Sequence, residues 1–332
     1  MTEKFSGYFK MKVVIPRRIP DVGPDLLRSE GFEVVIGPED AHYTRENLIE
    51  MIQDADAVIP LLSMKFDREV VEAAKQLKII ANYAVGYDNI DLEAAREKGI
   101  VVTNTPEVLT DATADLTWAL LLSVARHVVE ADKFVRDGKF RGWSPFLFLG
   151  QDFVHRTLGV IGFGRIGQAV ARRALGFNMN ILYYSRSRKI DAEEKLGAKY
   201  VELRELLRES DFVTLHTPLT EETYHLIGEE ELKMMKSNAI IVNMARGPVI
   251  DEKALIKALQ EKWIYGAGLD VYENEPNVPK ELIKLDNVIL LPHLGSATYW
   301  TRNTMSRIAA EAIIKYLKYG EKPWNTVLWK EF

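Results

Sequence analysis

The stretch Val160-Ile161-Gly162-Phe163-Gly164-Arg165-Ile166-Gly167 runs an apolar strand directly into Gly-x-Gly-x-x-Gly and on into a helical pattern that reaches about Gly176. That is the phosphate-binding turn of a dinucleotide fold. Gly162 permits the tight turn, Gly164 lets the backbone approach a pyrophosphate, and Gly167 lets the helix pack on its strand. The unpaired N–H groups that open the helix, at the positive end of its dipole, suit a diphosphate. Phe163, Gly164, Arg165 and Ile166 are the first candidate cofactor contacts. A glycine triplet alone is weak evidence, since an isolated one is more often a loop; the flanking strand and helix patterns give this one its weight.

On either side of this turn, strands are expected at 158–162, 180–184, 212–216, 239–243, 266–271 and 288–291, separated by helical patterns. Six such strands make a full dinucleotide-binding domain. Upstream, apolar runs at 12–16, 33–36, 57–61, 78–82 and 101–103 alternate with helical stretches, which implies a second parallel sheet. No glycine triplet occurs among them. Residues 110–137 read as one or two long helices, apolar on much of their surface, suited to a domain crossover, a subunit interface or an ordinary core. The last helix, 301–319, has nothing to pair with in the nucleotide domain and is expected to return to the first. The fold class is therefore α/β, with two Rossmann-like or flavodoxin-like domains built on parallel sheets and a cleft between them. The expected domains are 1–106 plus 299–332 for substrate, and 107–298 for the dinucleotide.

Composition narrows the function. The 332 residues include no Cys, which excludes disulfides, thiolate metal sites and a cysteine nucleophile. The net charge of −5 comes from 43 basic and 48 acidic residues mixed along the chain, with no basic block suited to a nucleic acid. The most apolar stretch, 116–125, is too short to span a membrane, and the first twelve residues lack the apolar core of a signal peptide. The expected location is the cytoplasm.

Chemistry is expected at the carboxyl ends of the second set of strands. Asn243-Met244-Ala245-Arg246-Gly247 places an arginine past one strand, Gly268-Leu269-Asp270-Val271-Tyr272-Glu273-Asn274-Glu275-Pro276 places carboxylates past the next, and Leu291-Pro292-His293-Leu294-Gly295-Ser296 places a histidine past the last. Singly these have ordinary readings as a solvated arginine, a turn glutamate and a structural histidine. Beside a nicotinamide, the three suit reduction of a 2-keto acid. His293 would donate a proton to the keto oxygen, an imidazole being suited by its usual pKa of about 6.5. Glu275 would hold the far ring nitrogen, and Arg246 would grip the substrate carboxylate with its planar fork.

These motifs, with Asn82-Tyr83-Ala84-Val85-Gly86-Tyr87-Asp88-Asn89-Ile90-Asp91, Asn104-Thr105-Pro106, Ala112-Thr113-Ala114-Asp115 and Pro292-His293-Leu294-Gly295-Ser296-Ala297-Thr298, stand in an order that resembles the D-2-hydroxyacid dehydrogenases over nearly the whole chain. The glyoxylate/hydroxypyruvate reductase branch is the most similar. The resemblance implies that Arg246, Glu275 and His293 are catalytic and that the backbone amides of Val85 and Gly86 bind the substrate carboxylate. It also implies that Asp270 contacts the nicotinamide carboxamide, that Thr113 lies near the nicotinamide, and that the protein is a homodimer through its cofactor domains. The 61–63 loop, with Leu62, would face the substrate side chain. Thr217, Pro218, Met244, Ala245 and Gly295, with Arg246, Asp270 and His293, complete the cofactor contacts. Relatives commonly begin near Met11, and residues 1–10 are assigned no function. Trp143 would close a neighbouring subunit's pocket or pack on its own surface.

Where an NAD enzyme usually carries an acid after its second strand, this chain reads Tyr183-Tyr184-Ser185-Arg186-Ser187-Arg188. Arg186, Ser185 and Ser187 suit a 2′-phosphate, so NADPH is expected in preference to NADH, without excluding NADH; Asp191 reaching back to the ribose is the opposing reading. His216 is expected near the cofactor without doing chemistry and His225 is expected to be structural. His42, His127 and His155 have no acid or histidine at a ligand spacing, and no metal is expected. The expected substrate is a small 2-keto or 2-hydroxy acid, glyoxylate or hydroxypyruvate, with D-lactate or phosphite chemistry and a cofactor-sensing corepressor as the alternatives.

Overall fold

A computed structural model of the chain describes residues 10–40 and 43–329; residues 1–9 and His42 lie outside the described residues. The chain divides into two compact units, Met1–Leu109 with Ala297–Phe332, and Thr110–Ser296. Elements are numbered in chain order.

The first unit opens with β1 (Lys12–Ile15), α1 (Val22–Ser29), β2 (Glu33–Ile36), α2 (Arg45–Ile52), β3 (Ala57–Val58), α3 (Arg68–Ala73), β4 (Ile79–Ala81), α4 (Leu92–Glu97) and β5 (Val101–Thr103). Oxygen side chains start three of its short helices: Thr44, Asp67 and Asp91 accept from the backbone N–H groups of Asn47, Val70 and Ala94. Such caps satisfy donors that a helix start leaves open.

The second unit runs α5 (Thr110–Ala125), α6 (Val128–Arg136), β6 (Thr157–Ile161), α7 (Arg165–Ala174), β7 (Asn180–Tyr184), α8 (Ile190–Leu196), β8 (Lys199–Tyr200) and α9 (Leu203–Glu209). It continues through β9 (Phe212–Leu215), α10 (Glu229–Met234), β10 (Ile240–Asn243), α11 (Glu252–Gln260), β11 (Gly266–Leu269), α12 (Lys280–Ile283) and β12 (Val288–Leu290). The chain then re-enters the first unit with α13 (Tyr299–Tyr319) and β13 (Thr326–Leu328).

In the first unit the sheet order is β13-β5-β4-β3-β1-β2, parallel except for β13, which pairs antiparallel to β5. In the second it is β12-β11-β10-β9-β6-β7-β8, parallel throughout. Helices cover both faces, which is why the central strands read as unbroken apolar runs such as Val13, Val14 and Ile15, each fully buried. The helical region expected at 110–137 is two helices, broken where His127 takes a left-handed φ of 53°. Two strands have no counterpart in the sequence pattern. β8 has two residues and β13 three, and both are edge strands with too little length for a period. No helix among the described residues is long and apolar enough to cross a membrane.

In the first unit α13 packs on α1 through a buried polar contact. Ser306, fully buried, accepts from the Gly23 N–H at 3.0 Å and donates to the Pro20 carbonyl at 2.6 Å. Ser306→Ala strands both backbone groups and is expected to lower stability by about 1–3 kcal/mol. Denaturant unfolding of the two proteins measures this.

Candidate active site

In the second unit, β6 is flanked by β7 on one side and β9 on the other, so the strand order reverses there. Open α/β sheets bind ligands at the carboxyl ends of the strands at such a point. Gly162 follows β6 with a φ of 90°. A Cβ on it would stand 2.7 Å from the His216 carbonyl carbon and 2.8 Å from the Thr217 nitrogen. A Cβ on Gly167 would run into the Gly162 carbonyl oxygen, whereas one on Gly164 would meet nothing within 4 Å. Gly164 caps α7 without a side-chain hydrogen bond, and the first turn holds no acid, so its N–H groups are left for an anion. Phe163 does not offer its ring there, because it is buried and stacked on Tyr183 at 4.0 Å; only its backbone lies at the turn.

His216 adds a second sign. Both ring nitrogens are buried and without a hydrogen-bond partner among the described residues, and burial pushes the ring down to about 3, so it is neutral. Buried polar atoms of this kind call for a partner. The open cradle at Gly164, the uncapped helix start and this orphaned ring together fit a dinucleotide.

Past β7, Ser185 donates to the Ser187 carbonyl at 2.7 Å, which curls the loop, and Lys189 Nζ donates to Ser187 Oγ at 2.9 Å. Arg188 is drawn away by a two-pronged pair with Glu193, at 3.1 and 2.6 Å. Arg186 is exposed, and its charge contributes to holding the Glu222 carboxyl low, after the Thr220 hydroxyl and the backbone N–H. Asp191 lies exposed in the first turn of α8. Lys189 is a member of this loop that the sequence motif does not single out; its spacing of three from Arg186 is the available signal.

Past β10, Asn243 shapes the loop by accepting from the Ala245 N–H at 3.0 Å and donating to the Arg246 carbonyl at 2.9 Å. Met244 and Ala245 are nearly buried. Past β11, the buried carboxylate of Asp270 accepts from the N–H groups of Leu294 at 2.6 Å and Gly295 at 2.8 Å. Burial pushes the Asp270 carboxyl up, against the pull of those two donors and of His293. Asp270 thus anchors the loop after β12, a role the sequence motif does not reveal. Thr113 on α5 donates to the Gly295 carbonyl at 3.1 Å, tying the same loop from the other side. His293, with a φ of 57°, turns its Nδ1 to Glu275 Oε2 at 2.9 Å. Thr217 and Pro218 follow β9, with the Thr217 hydroxyl donating to the Pro218 carbonyl at 2.8 Å.

In the first unit, Leu62 and the Val85–Gly86 pair follow β3 and β4. Asn104 donates to the Val85 carbonyl and Asn82 to the Gly86 carbonyl, both at 2.8 Å. These two contacts hold the peptide backbone of the loop in place.

The NAD-binding domain of the D-isomer specific 2-hydroxyacid dehydrogenases matches residues 118–295. The chain belongs to the D-isomer specific 2-hydroxyacid dehydrogenase family. It is 56% identical over 318 residues to a glyoxylate reductase of Thermococcus onnurineus, covering 95% of each chain. A solved structure from Thermus thermophilus superposes with a TM-score of 0.90 at 46% identity, covering 96% of this chain and all of the other. An NADPH-dependent glyoxylate/hydroxypyruvate reductase of Sinorhizobium meliloti, solved with NADP and malonate, superposes at 0.85 with 34% identity over 97% of this chain and 99% of the other. The fold is accordingly the two-domain arrangement of this family, and the protein is an oxidoreductase with a nicotinamide dinucleotide cofactor.

In this dehydrogenase the pair Glu275–His293 has a defined polarity. Partial burial pushes the Glu275 carboxyl up, but the hydrogen bond and charge of His293, the Tyr272 N–H and the charge of Arg246 together hold it below its ordinary 4.5. The carboxylate accepts from Nδ1, so Nε2 is the ring nitrogen turned away from Glu275. A depressed carboxylate contributes stability that is present above its unfolded value and lost as pH falls through its folded one. The stability difference between the native protein and Glu275→Gln is therefore expected to be full at about pH 6–7 and to shrink as the pH drops below about 4.5. Thermal unfolding across that range reads it, and a difference that grew toward acid would mean that folding raises the Glu275 carboxyl instead.

Proposed function

We propose that this dehydrogenase reduces a small 2-keto acid, glyoxylate or hydroxypyruvate, to the 2-hydroxy acid, with NADPH preferred over NADH. The observation that carries the reading is the Glu275–His293 pair at 2.9 Å, in the unit that also holds Arg246 and the Gly162–Gly167 turn. Support for the substrate comes from relatives named glyoxylate reductase at 55–57% identity. Bound NADPH supplies the hydride. His293 Nε2 gives a proton to the keto oxygen as charge builds there, and Glu275 holds the ring in orientation through Nδ1. Arg246 holds the substrate carboxylate and polarises the neighbouring carbonyl. In the first unit, which we assign to substrate, the N–H groups of Val85 and Gly86 take the carboxylate and Leu62 faces the side chain. In the second unit, which we assign to the dinucleotide, Asp270 and Thr113 hold the loop that carries His293 and Gly295.

The NADPH preference rests on the loop after β7. It has no acid directly after the strand, and Arg186, Ser185 and Ser187 are joined by Lys189. Initial rates with glyoxylate at matched NADPH and NADH test the proposal. His293→Ala is expected to lose about 10²–10⁴-fold in kcat. Arg186→Ala is expected to raise the KM for NADPH by about tenfold to a hundredfold with little change for NADH. A native preference for NADH would overturn the Arg186 assignment alone, and failure to turn over either keto acid would overturn the substrate.

A second copy of this chain is the partner we assign to α6. None of its residues is buried, and Val128, Val129 and Val135 are 50%, 53% and 58% exposed. The following segment exposes Trp143 at 86% and Phe146 at 81%, a patch too apolar to be left in water. Light scattering is expected to show a dimer, and Val129→Asp with Val135→Asp a monomer.

A further inference from the structure

His225 lies outside the catalytic trio yet touches the segments that carry two of its members. Its backbone N–H donates to the Pro248 carbonyl at 2.8 Å, two residues beyond Arg246. Its ring Nε2 lies 2.8 Å from Glu273 Oε1, two residues before Glu275. The residue holds a left-handed φ of 49°, and its ring is stacked on Tyr224 at 4.0 Å. Glu273 Oε1 also accepts from the Glu252 N–H at the start of α11, at 3.0 Å. The next residue back, Tyr272, donates its N–H to Glu275 Oε1 at 3.1 Å. Gly247 leaves no room for a side chain against the Tyr272–Glu273 peptide, so the two segments are already pressed together.

We propose that His225 is a positioning residue: it ties the Arg246 segment to the Glu275 segment and so sets the angle at which Glu275 meets His293. This rests on the reading of Arg246, Glu275 and His293 as the catalytic groups. His225, Asp251 and Glu273 could instead be taken for a metal cluster, their ligand atoms lying within 4.8 Å of one another. The geometry opposes that. The two ring nitrogens face different carboxylates, Nε2 toward Glu273 at 2.8 Å and Nδ1 toward Asp251 at 3.9 Å. Glu273 Oε1 and Asp251 Oδ1 already accept from the N–H groups that open α11, and only Asp251 Oδ2 is turned toward the ring. The ring is hydrogen-bonded to Glu273 alone, with Asp251 standing off on its other side, whereas a metal needs its ligands turned to one point.

The test is a double-mutant cycle read by steady-state kinetics with glyoxylate and NADPH. His225→Ala is expected to lower kcat by about ten- to a hundredfold, with the dissociation constant for the cofactor unchanged, since a small misplacement at the reacting centre suffices for such a loss. His225→Gln, which can still donate to Glu273, is expected to recover most of it. In a Glu275→Gln background the His225→Ala loss is expected to fall below about twofold, because residues acting through one another are not additive. A full additional loss in that background, or a loss confined to cofactor binding, would overturn the proposal. So would an increase in melting temperature with added zinc that His225→Ala abolishes. If His225→Ala fails to fold, His225→Asn against His225→Gln carries the same comparison, Asn being too short to reach Glu273. If Glu275→Gln alone keeps native kcat, it is the catalytic reading that fails, which separates the two.

Discussion

A hydrogen atom is all that fits on Gly162 facing the backbone of His216 and Thr217. That contact lets the end of β6 lie against the end of β9 where the strand order reverses, and it leaves the start of α7 open above them. The all-parallel sheet does the rest. Every strand delivers its following loop to the same edge, and neighbouring strands are about 4.8 Å apart. Since β10, β11 and β12 are adjacent, the loops carrying Arg246, Asp270 with Glu275, and His293 must emerge within about 10 Å of one another. Convergence of the trio is therefore a property of the sheet, and the loops only have to aim it.

Aiming is done by carboxylates whose surroundings give them different tasks. Asp270 is nearly fully buried, and both its oxygens are used on the N–H groups of Leu294 and Gly295, so it is a fixed anchor. Glu275 is only partly covered and stays ionised beside His293 and Arg246, so it can respond to the charge on the ring. Glu273, between them in sequence, is spent on the start of α11 and on His225. Three acids within six residues thus meet a loop's backbone, His293 and His225 respectively, separated by burial and by which N–H groups reach them first.

Whatever rests on strict local requirements is legible in the sequence. The glycines at 162, 164 and 167, and the apolar runs that form β1, β2, β5 and β7, can be read because each has few alternatives. Strand ends read one or two residues long where the pattern continues past the last ladder bond, as at His216 and Val271. β13 escapes such a reading because its pairing to β5 joins residues more than two hundred positions apart and has no local pattern. Asp270 as an anchor, His216 as an orphaned ring and His225 as a brace are hidden for the same reason. The partners of Asp270 and His225, at 294 and 273, are set by sheet geometry and not by spacing, and the His216 ring has none among the described residues.

The loop after β7 shows how far charge counting goes. Arg186, Arg188 and Lys189 read alike in sequence, but Glu193 neutralises Arg188 and also accepts from the Tyr183 hydroxyl at 2.5 Å. Two cations are left, Arg186 exposed and Lys189 already on Ser187. A 2′-phosphate would meet them at the protein surface, where salt screens each contact. Charge-assisted contacts of about 1.5–3 kcal/mol each, reduced by that screening, would favour the proposed phosphorylated cofactor without shutting out the other. On the proposed preference for NADPH, selection would work by attraction, with no acid directly after the strand to repel a 2′-phosphate, and would weaken as ionic strength rises.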